Sequence, residues 1–253
     1  MTLLATTELR KYFGDVHAVD RVDFAVREGE VLALIGSNGA GKTTLVNLIS
    51  GLFPPDGGRI VFRAADVTSL SVYERIRAGI ARSFQLVNLF DQLSTLDNVA
   101  LAIFAREGKT RSLGSLAERD AGVRDEALTI LQQFGLRDKT DIWAGNLAQG
   151  ERKLLDVAVA YALRPRLLLL DEPTSGVSTR EKTPIMDTIT SVVRAEGITA
   201  VIIEHDMDVV FKYSERIVVM HEGKILADGT PDEIRSNPVV GTTLLGTSAP
   251  AEA

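Results

Sequence analysis

The chain has 253 residues, 45% hydrophobic and 25% charged, enough for a sizeable core in one large domain or in one domain carrying a subdomain. Its net charge of −6 disfavours nucleic acid as a partner of the whole molecule, and the absence of cysteine excludes disulfides and thiolate metal sites. Nowhere are there about 18 consecutive apolar residues, the minimum for a membrane-spanning helix, and Met1 to Arg10 lacks the apolar core of a signal peptide. Any role at a membrane is therefore expected to be peripheral, through a partner.

In chain order, Val22, Phe24 and Val26 alternate with polar residues, the period of a half-buried strand. Val31 to Ile35 is a nearly continuous apolar run and predicts a buried strand. Gly36 to Gly41 breaks that pattern, Lys42 to Ser50 predicts a helix, and Gly51 closes it. Pro54 to Gly58 marks a turn before a short strand, Ile60 to Phe62. From about Leu86 to Leu163 the spacing becomes helical, with helices over Asp97 to Arg106 and Glu118 to Phe134 and a third starting near Gln149. A polar loop, Gly108 to Gly114, lies between the first two.

Strand and helix then alternate again. Leu167 to Leu170, Ile198 to Ile203, Ile217 to Met220 and Ile225 to Ala227 predict strands, and Arg180 to Glu196 and Met207 to Tyr213 predict helices. Thr230-Pro231-Asp232-Glu233 is a capping box. This alternation predicts an α/β fold: a mainly parallel sheet flanked by helices, with an N-terminal β part and a helical subdomain inserted at about 86–163. One domain is expected over 1–246, and 247–253 is a small, polar tail expected to be disordered.

Two motifs carry chemistry. Gly36-Ser37-Asn38-Gly39-Ala40-Gly41-Lys42-Thr43 has the spacing G-x-x-x-x-G-K-[ST] between a strand and a helix. A loop that wraps a polyphosphate must aim successive N–H groups inward, so glycines stand at the tight points, and the helix N-terminus adds its dipole. Lys42 supplies charge to the β- and γ-phosphates, and the Thr43 hydroxyl can ligate Mg²⁺. The second motif is Leu167 to Leu170 followed by Asp171, Glu172 and Pro173, a buried strand ending in two carboxylates. Ligands of open α/β sheets gather at such strand ends, which places Asp171 to hold Mg²⁺ and Glu172 to polarise an attacking water. The resulting fold class is of the P-loop NTPase type.

Four further features follow in order: Gln85 after Ser83-Phe84, Leu147-Ala148-Gln149-Gly150-Glu151, Ser175-Gly176-Val177-Ser178, and His205 after the strand Ala200 to Ile203. Together with the two motifs they resemble the ABC (ATP-binding cassette) ATPases over nearly the whole chain. The resemblance implies an enzyme that hydrolyses ATP to ADP and phosphate with Mg²⁺, working as a head-to-tail pair with two nucleotides between the copies. One face of each site would come from Gly36 to Thr44, Gln85, Asp171, Glu172 and His205, with Gln85 also reaching the metal. The other would come from Ala148, Gln149, Gly150 and Glu151 of the second copy, where a glycine at 150 leaves room between apposed surfaces. Phe13 resembles the aromatic that stacks on adenine, with Tyr12 as the alternative. His17 and His221 match no motif.

Four positions depart from the family pattern: Ala148 stands where serine is usual, Gln149 and Glu151 also differ from the usual signature while Gly150 is kept, and Ser178 stands where aspartate is usual. The stretches Ser83 to Phe90, Thr95 to Val99, Pro173 to Ser178 and Ile203 to Met207 look like the subfamily that serves uptake of branched-chain amino acids and of amides or urea. That resemblance implies a second ATPase subunit, permease subunits and a periplasmic or extracellular binding protein as partners, at the cytoplasmic face of the cell membrane. The alternatives are a lipid or lipopolysaccharide exporter ATPase, a soluble ABC ATPase of DNA repair or translation, and a regulatory module without hydrolysis. Soluble family members typically carry long coiled coils or two cassettes, and the intact Lys42, Asp171, Glu172 and His205 argue against loss of hydrolysis.

Overall fold

The alternating apolar residues near the N-terminus build a hairpin of two long antiparallel strands, β1 (Thr2–Phe13) and β2 (Val16–Arg27). Leu4, Leu9, Val22, Phe24 and Val26 turn to the inside, each at most 2% exposed. The computed structural model describes residues 1–83, 89–108 and 120–245. They divide into two compact units, Met1–Arg75 with Thr199–Ala253, and Ile76–Ile198.

In the first unit, β4 (Gly57–Phe62) pairs with the other edge of β1, and β5 (Ala65–Asp66) with β4, completing a four-stranded antiparallel sheet. A second set of strands centres on β3 (Val31–Gly36), every residue of which is buried. It is flanked by β8 (Thr199–Ile203) and β9 (Arg216–His221), both parallel to it, and β10 (Lys224–Gly229) closes the edge as an antiparallel hairpin on β9. Continuous apolar runs suit such strands because both faces are covered. On one face, Val210 of α7 (Met207–Tyr213) and Ile234 of α8 (Pro231–Ser236) join Ala33, Ile35, Ile217 and Val219 in one core cluster. The expected Thr230 to Glu233 capping box forms, with the Thr230 N–H donating to Glu233 at 2.7 Å. Helix α1 (Lys42–Ser50) follows β3 and ends at Gly51, whose φ of 83° lets its N–H turn back to the Leu48 carbonyl.

In the second unit, β6 (Ile80–Ser83) runs parallel to β7 (Leu167–Asp171). Helices α3 (Thr95–Arg106), α4 (Ala121–Gln133) and α5 (Gln149–Ala162) pack together and bury Val99, Ile103, Ala127, Leu131 and Leu155 completely. Arg106 ties the three: its guanidinium donates to Glu126 at 2.7 Å and to the Ala162 carbonyl at 2.8 Å. Helix α6 (Thr179–Ala195) follows β7. This unit extends beyond the helical stretch expected at 86–163, taking in β6, β7 and α6. Among the described residues, no helix is long and apolar enough to cross a membrane. Gln85, residues 109–114 of the expected polar loop and the tail 247–253 lie outside the described residues.

The periodicity reading missed α2 (Val72–Ala78) and β6, both too short to show a repeat. A signal was nonetheless present: Ser71 and Glu74 have capping-box spacing, and the Ser71 N–H and Oγ donate to Glu74 at 2.8 and 2.7 Å. Arg75 of α2 is 1% exposed. Its guanidinium donates to the carbonyls of Leu48, Ile49, Thr68 and Leu70, so it satisfies two of the last carbonyls of α1. Burial pulls its pKa down, but an arginine stays charged at neutral pH. Arg75→Met leaves these carbonyls without that donor and is expected to cost about 3 kcal/mol, a fall in Tm of roughly 6–12 °C in a thermal melt.

Candidate functional site

The glycine-bearing loop joins β3 to α1 and is shaped by two close approaches. A Cβ on Gly36 would stand 2.3 Å from the Met220 carbonyl oxygen, and one on Gly41 would stand 2.2 Å from that of Ala18. Gly41 also has φ 103°, a conformation that side-chain-bearing residues rarely adopt. The β9–β10 turn braces the loop from behind, the Gly223 N–H donating to the Ala40 carbonyl at 3.0 Å. Ser37, Asn38 and Gly39 are exposed and Ala40 is buried. Lys42 is 5% exposed, and its ammonium donates to the carbonyls of Gly36 and Ser37 at 2.7 and 3.0 Å. Its positive charge thus sits inside the loop, directly before α1. Gly41 provides no side-chain cap for that helix, and Thr43 is exposed in its first turn. Uncapped N–H groups, a helix dipole and a fixed ammonium in one loop suit a polyphosphate.

His205, just past β8, is exposed and lines a cavity of about 200 Å³ with Gly36 and Ser37, beside the buried Glu204. The first unit therefore brings His205 and the loop together. Phe13, at the end of β1, is 47% exposed and meets Phe53 edge-on at 5.7 Å. Tyr12 is committed inside the unit: its ring stacks on His17 at 4.2 Å and its hydroxyl donates to Asp20 at 2.9 Å. That stacking also accounts for His17.

In the second unit, Asp171 ends β7 and is 2% exposed. One carboxylate oxygen accepts from Arg82 of β6 at 2.5 Å, while the other, Oδ1, is buried with no hydrogen-bond partner. An orphaned buried carboxylate oxygen is a costly arrangement that a bound cation would satisfy. Among the described residues no group of three or more His, Cys, Asp or Glu is placed to hold a metal alone, so such an ion would need hydroxyl, water or phosphate oxygens as well. Sequence reasoning missed Arg82; its only signal is a charged residue within a short strand, close before Gln85. Glu172, half-buried, follows with φ 50°, a strained value for a residue with a side chain.

Leu147 to Glu151 forms the start of α5. Ala148 stands at the N-cap and offers no side-chain acceptor to the first-turn N–H groups, while its own N–H donates to Glu151 at 2.9 Å. Glu151 also pairs with Lys139 at 3.2 Å, so its charge is turned to its own unit. Gln149 is exposed but Gly150 is buried: a Cβ there would lie 3.2 Å from Cδ1 of Ile185 and 3.5 Å from a carboxylate oxygen of Glu181, both on α6. The small residue expected between apposed surfaces is thus already required by packing within the unit. Ser178 caps α6 in a reciprocal box with Glu181, its N–H and Oγ donating at 3.1 and 2.5 Å. Its hydroxyl acts as a donor to Glu181, a contact that an ionised aspartate in its place could not make.

The strand–loop–helix with its buried lysine defines a P-loop nucleotide-binding protein. Residues 19–175 match the family model described as ABC transporter. The chain is 37% identical over 250 residues to the high-affinity branched-chain amino acid transport ATP-binding protein LivG of Salmonella typhimurium, covering 96% of this chain and 98% of that one. It resembles the ADP conformation of MJ1267, an ATP-binding cassette of an ABC transporter, with TM-score 0.84 and 31% identity over 98% of this chain and 100% of that one. It also resembles the dimeric structure of MJ0796, a bacterial ABC transporter cassette, with TM-score 0.77 and 25% identity over 90% and 99%. The chain belongs to the ABC transporter family, and it is an ATPase subunit of such a transporter.

Two outcomes follow from this geometry. Lys42→Ala removes both the charge and the brace of the loop, and is expected to weaken nucleotide binding at least tenfold in a fluorescent-nucleotide titration, about 1.4 kcal/mol. Gly150→Ala meets only the movable tip of Ile185 and gains helix propensity, so its stability should stay within about 1 kcal/mol of wild type. Gly150→Asp sets a second carboxylate beside Glu181 and should melt lower than Gly150→Ala.

Proposed function

We propose that this subunit powers uptake of branched-chain amino acids, or of a related amide or urea compound. The observation that carries this reading is the 37% identity, over 96% of the chain, to a relative that serves branched-chain amino acid transport. In this reading the chain forms a head-to-tail pair with a second ATPase subunit and docks on permease subunits at the inner face of the membrane. A periplasmic or extracellular binding protein delivers the substrate. Phe90 and Trp143, 62% and 57% exposed, lie on segments joined through the Gly145 N–H to the Asp91 carbonyl at 3.1 Å and give the second unit an aromatic surface for such a partner. Residues 1–246 act as one cassette, with 86–163 as its helical part.

The chemistry assigns ATP to the loop, with Phe13 stacked on the adenine and residues 36–44 around the phosphates. Mg²⁺ would take Thr43, Gln85 and Asp171 as ligands, the bare Oδ1 of Asp171 being suited to a cation, and would supply charge compensation to the phosphate oxygens. Glu172 accepts a proton from the attacking water, and His205 contacts the γ-phosphate and orients that water. The exposed Ala148 and Gln149 and the first-turn N–H groups of α5 face the nucleotide held by the other copy. Without a serine at 148, that contact rests on backbone N–H groups and the helix dipole.

Glu172→Gln should bind ATP, run as a dimer in size-exclusion chromatography with ATP, and turn over at least a hundredfold more slowly, because an amide accepts no proton. In liposomes carrying the permease pair, leucine-loaded binding protein should stimulate the wild-type ATPase. Stimulation only by a urea- or amide-loaded protein would move the substrate, and near wild-type turnover in Glu172→Gln would remove Glu172 from its role. Chelation of Mg²⁺ should abolish turnover in the same assay.

A further inference from the structure

Lys153 lies on α5, one turn beyond Gly150, and is 2% exposed. Its ammonium donates to the backbone carbonyl of Glu172 at 3.1 Å and to Ser175 Oγ at 2.9 Å. A buried ammonium carries a large desolvation cost unless its hydrogen bonds are well made. The acceptors here include that carbonyl and the Ser175 hydroxyl, and Glu172 itself holds a strained φ of 50°. The Ser175 N–H donates to the same carbonyl at 3.0 Å. One donor closes the Glu172 to Ser175 turn from within, and the other clamps it from α5. If Glu172 relaxed to negative φ, its neighbouring peptide planes would rotate and both bonds would be disturbed. The direction in which the Glu172 side chain leaves the backbone is therefore set in part by Lys153.

The same helix begins with Ala148, Gln149 and Gly150. Lys153 follows Gly150 by three residues, about 4.5 Å along the axis. An α-helix of this length moves as a rigid piece, so a shift of its first turn is carried to the Lys153 ammonium. We propose that Lys153 is a positioning residue: it holds the Glu172 backbone in its strained conformation and links the orientation of that carboxylate to the seating of α5. A ligand engaging the first turn of α5 thereby adjusts Glu172 of the same chain. This rests on the assignments of Glu172 and of the α5 N-terminus made above.

The test is steady-state ATPase kinetics and nucleotide titration on the full chain. Lys153→Met keeps the long stem and removes the donors. It should lower kcat at least thirtyfold, with the Kd for ATP within about twofold of wild type, and Lys153→Arg should recover at least a third of the lost log-rate. Added to Glu172→Gln, Lys153→Met should lower the residual rate by less than threefold, because both changes act through one group. Ser175→Ala, which keeps the bond to the Glu172 carbonyl, should lose less than Lys153→Met and serves if the latter does not fold. Wild-type kcat in Lys153→Met, a loss confined to KM, or full multiplication of the two losses would overturn the proposal. So would Ser175→Ala losing as much as Glu172→Gln. If Glu172→Gln alone kept wild-type turnover, the assignment of the base would fail instead, and the two failures are thus told apart.

Discussion

The backbone of the phosphate loop passes so close to its neighbours that no side chain can intervene. The Met220 and Ala18 carbonyls stand where Cβ atoms of Gly36 and Gly41 would be. This contact lets the loop curl over the end of β3 and enclose the Lys42 ammonium, with the β9–β10 turn as its floor. A loop held further out could not keep a lysine 95% out of solvent and still present its charge. The N-terminal hairpin and β9 are distant in sequence, and their meeting at the loop makes a glycine pattern into a rigid anion cradle.

Charge is placed in the second unit by a similar rule. Asp171 and Lys153 are buried and the Arg82 side chain is 7% exposed, and each is held by hydrogen bonds that leave a defined direction for chemistry. Arg82 takes one oxygen of Asp171 and leaves the other bare, which fixes the orientation of the carboxylate. Lys153 takes a backbone carbonyl, which fixes the turn that carries Glu172. Replacing such pairs by apolar residues could well stabilise the fold. Their presence marks a place where orientation is worth more to the molecule than stability.

Two of the departures from the family pattern, Ser178 and Ala148, have different physical consequences. At the start of α6 the Ser178 N–H and hydroxyl both donate to Glu181, so this end rests on a donor that an ionised aspartate lacks. Ala148 removes a cap acceptor altogether. Glu151 repairs half of the box by accepting the Ala148 N–H, and Lys139 balances the carboxylate. The start of α5 is thereby stable without a side chain competing for its first free N–H groups.

The strand–helix alternation, the phosphate loop and the Asp171-Glu172 pair at a strand end were all legible in the sequence. These features are local: each follows from spacing along the chain and from the geometry of a single element or turn. Phe13 and His205 were singled out only by the order of motifs; the structure sets His205 beside the loop and leaves Phe13 exposed at the end of β1. Short α2 and β6 escaped because too few residues carry a period, although Ser71 and Glu74 marked the helix start. Nothing in the sequence marked Arg75, Arg82 or Lys153, and only the tertiary structure reveals that their side chains are shielded from solvent. Arg75 reaches carbonyls 26 and 27 residues away as well as two near ones, Arg82 a carboxylate 89 away, and Lys153 acceptors 19 and 22 away. Gly150 is a similar case, since the side chain that limits it comes from α6. Sequence determines which elements form and which chemistry they carry; burial and the aim of a charged group depend on what packs against it, and only the folded chain decides that.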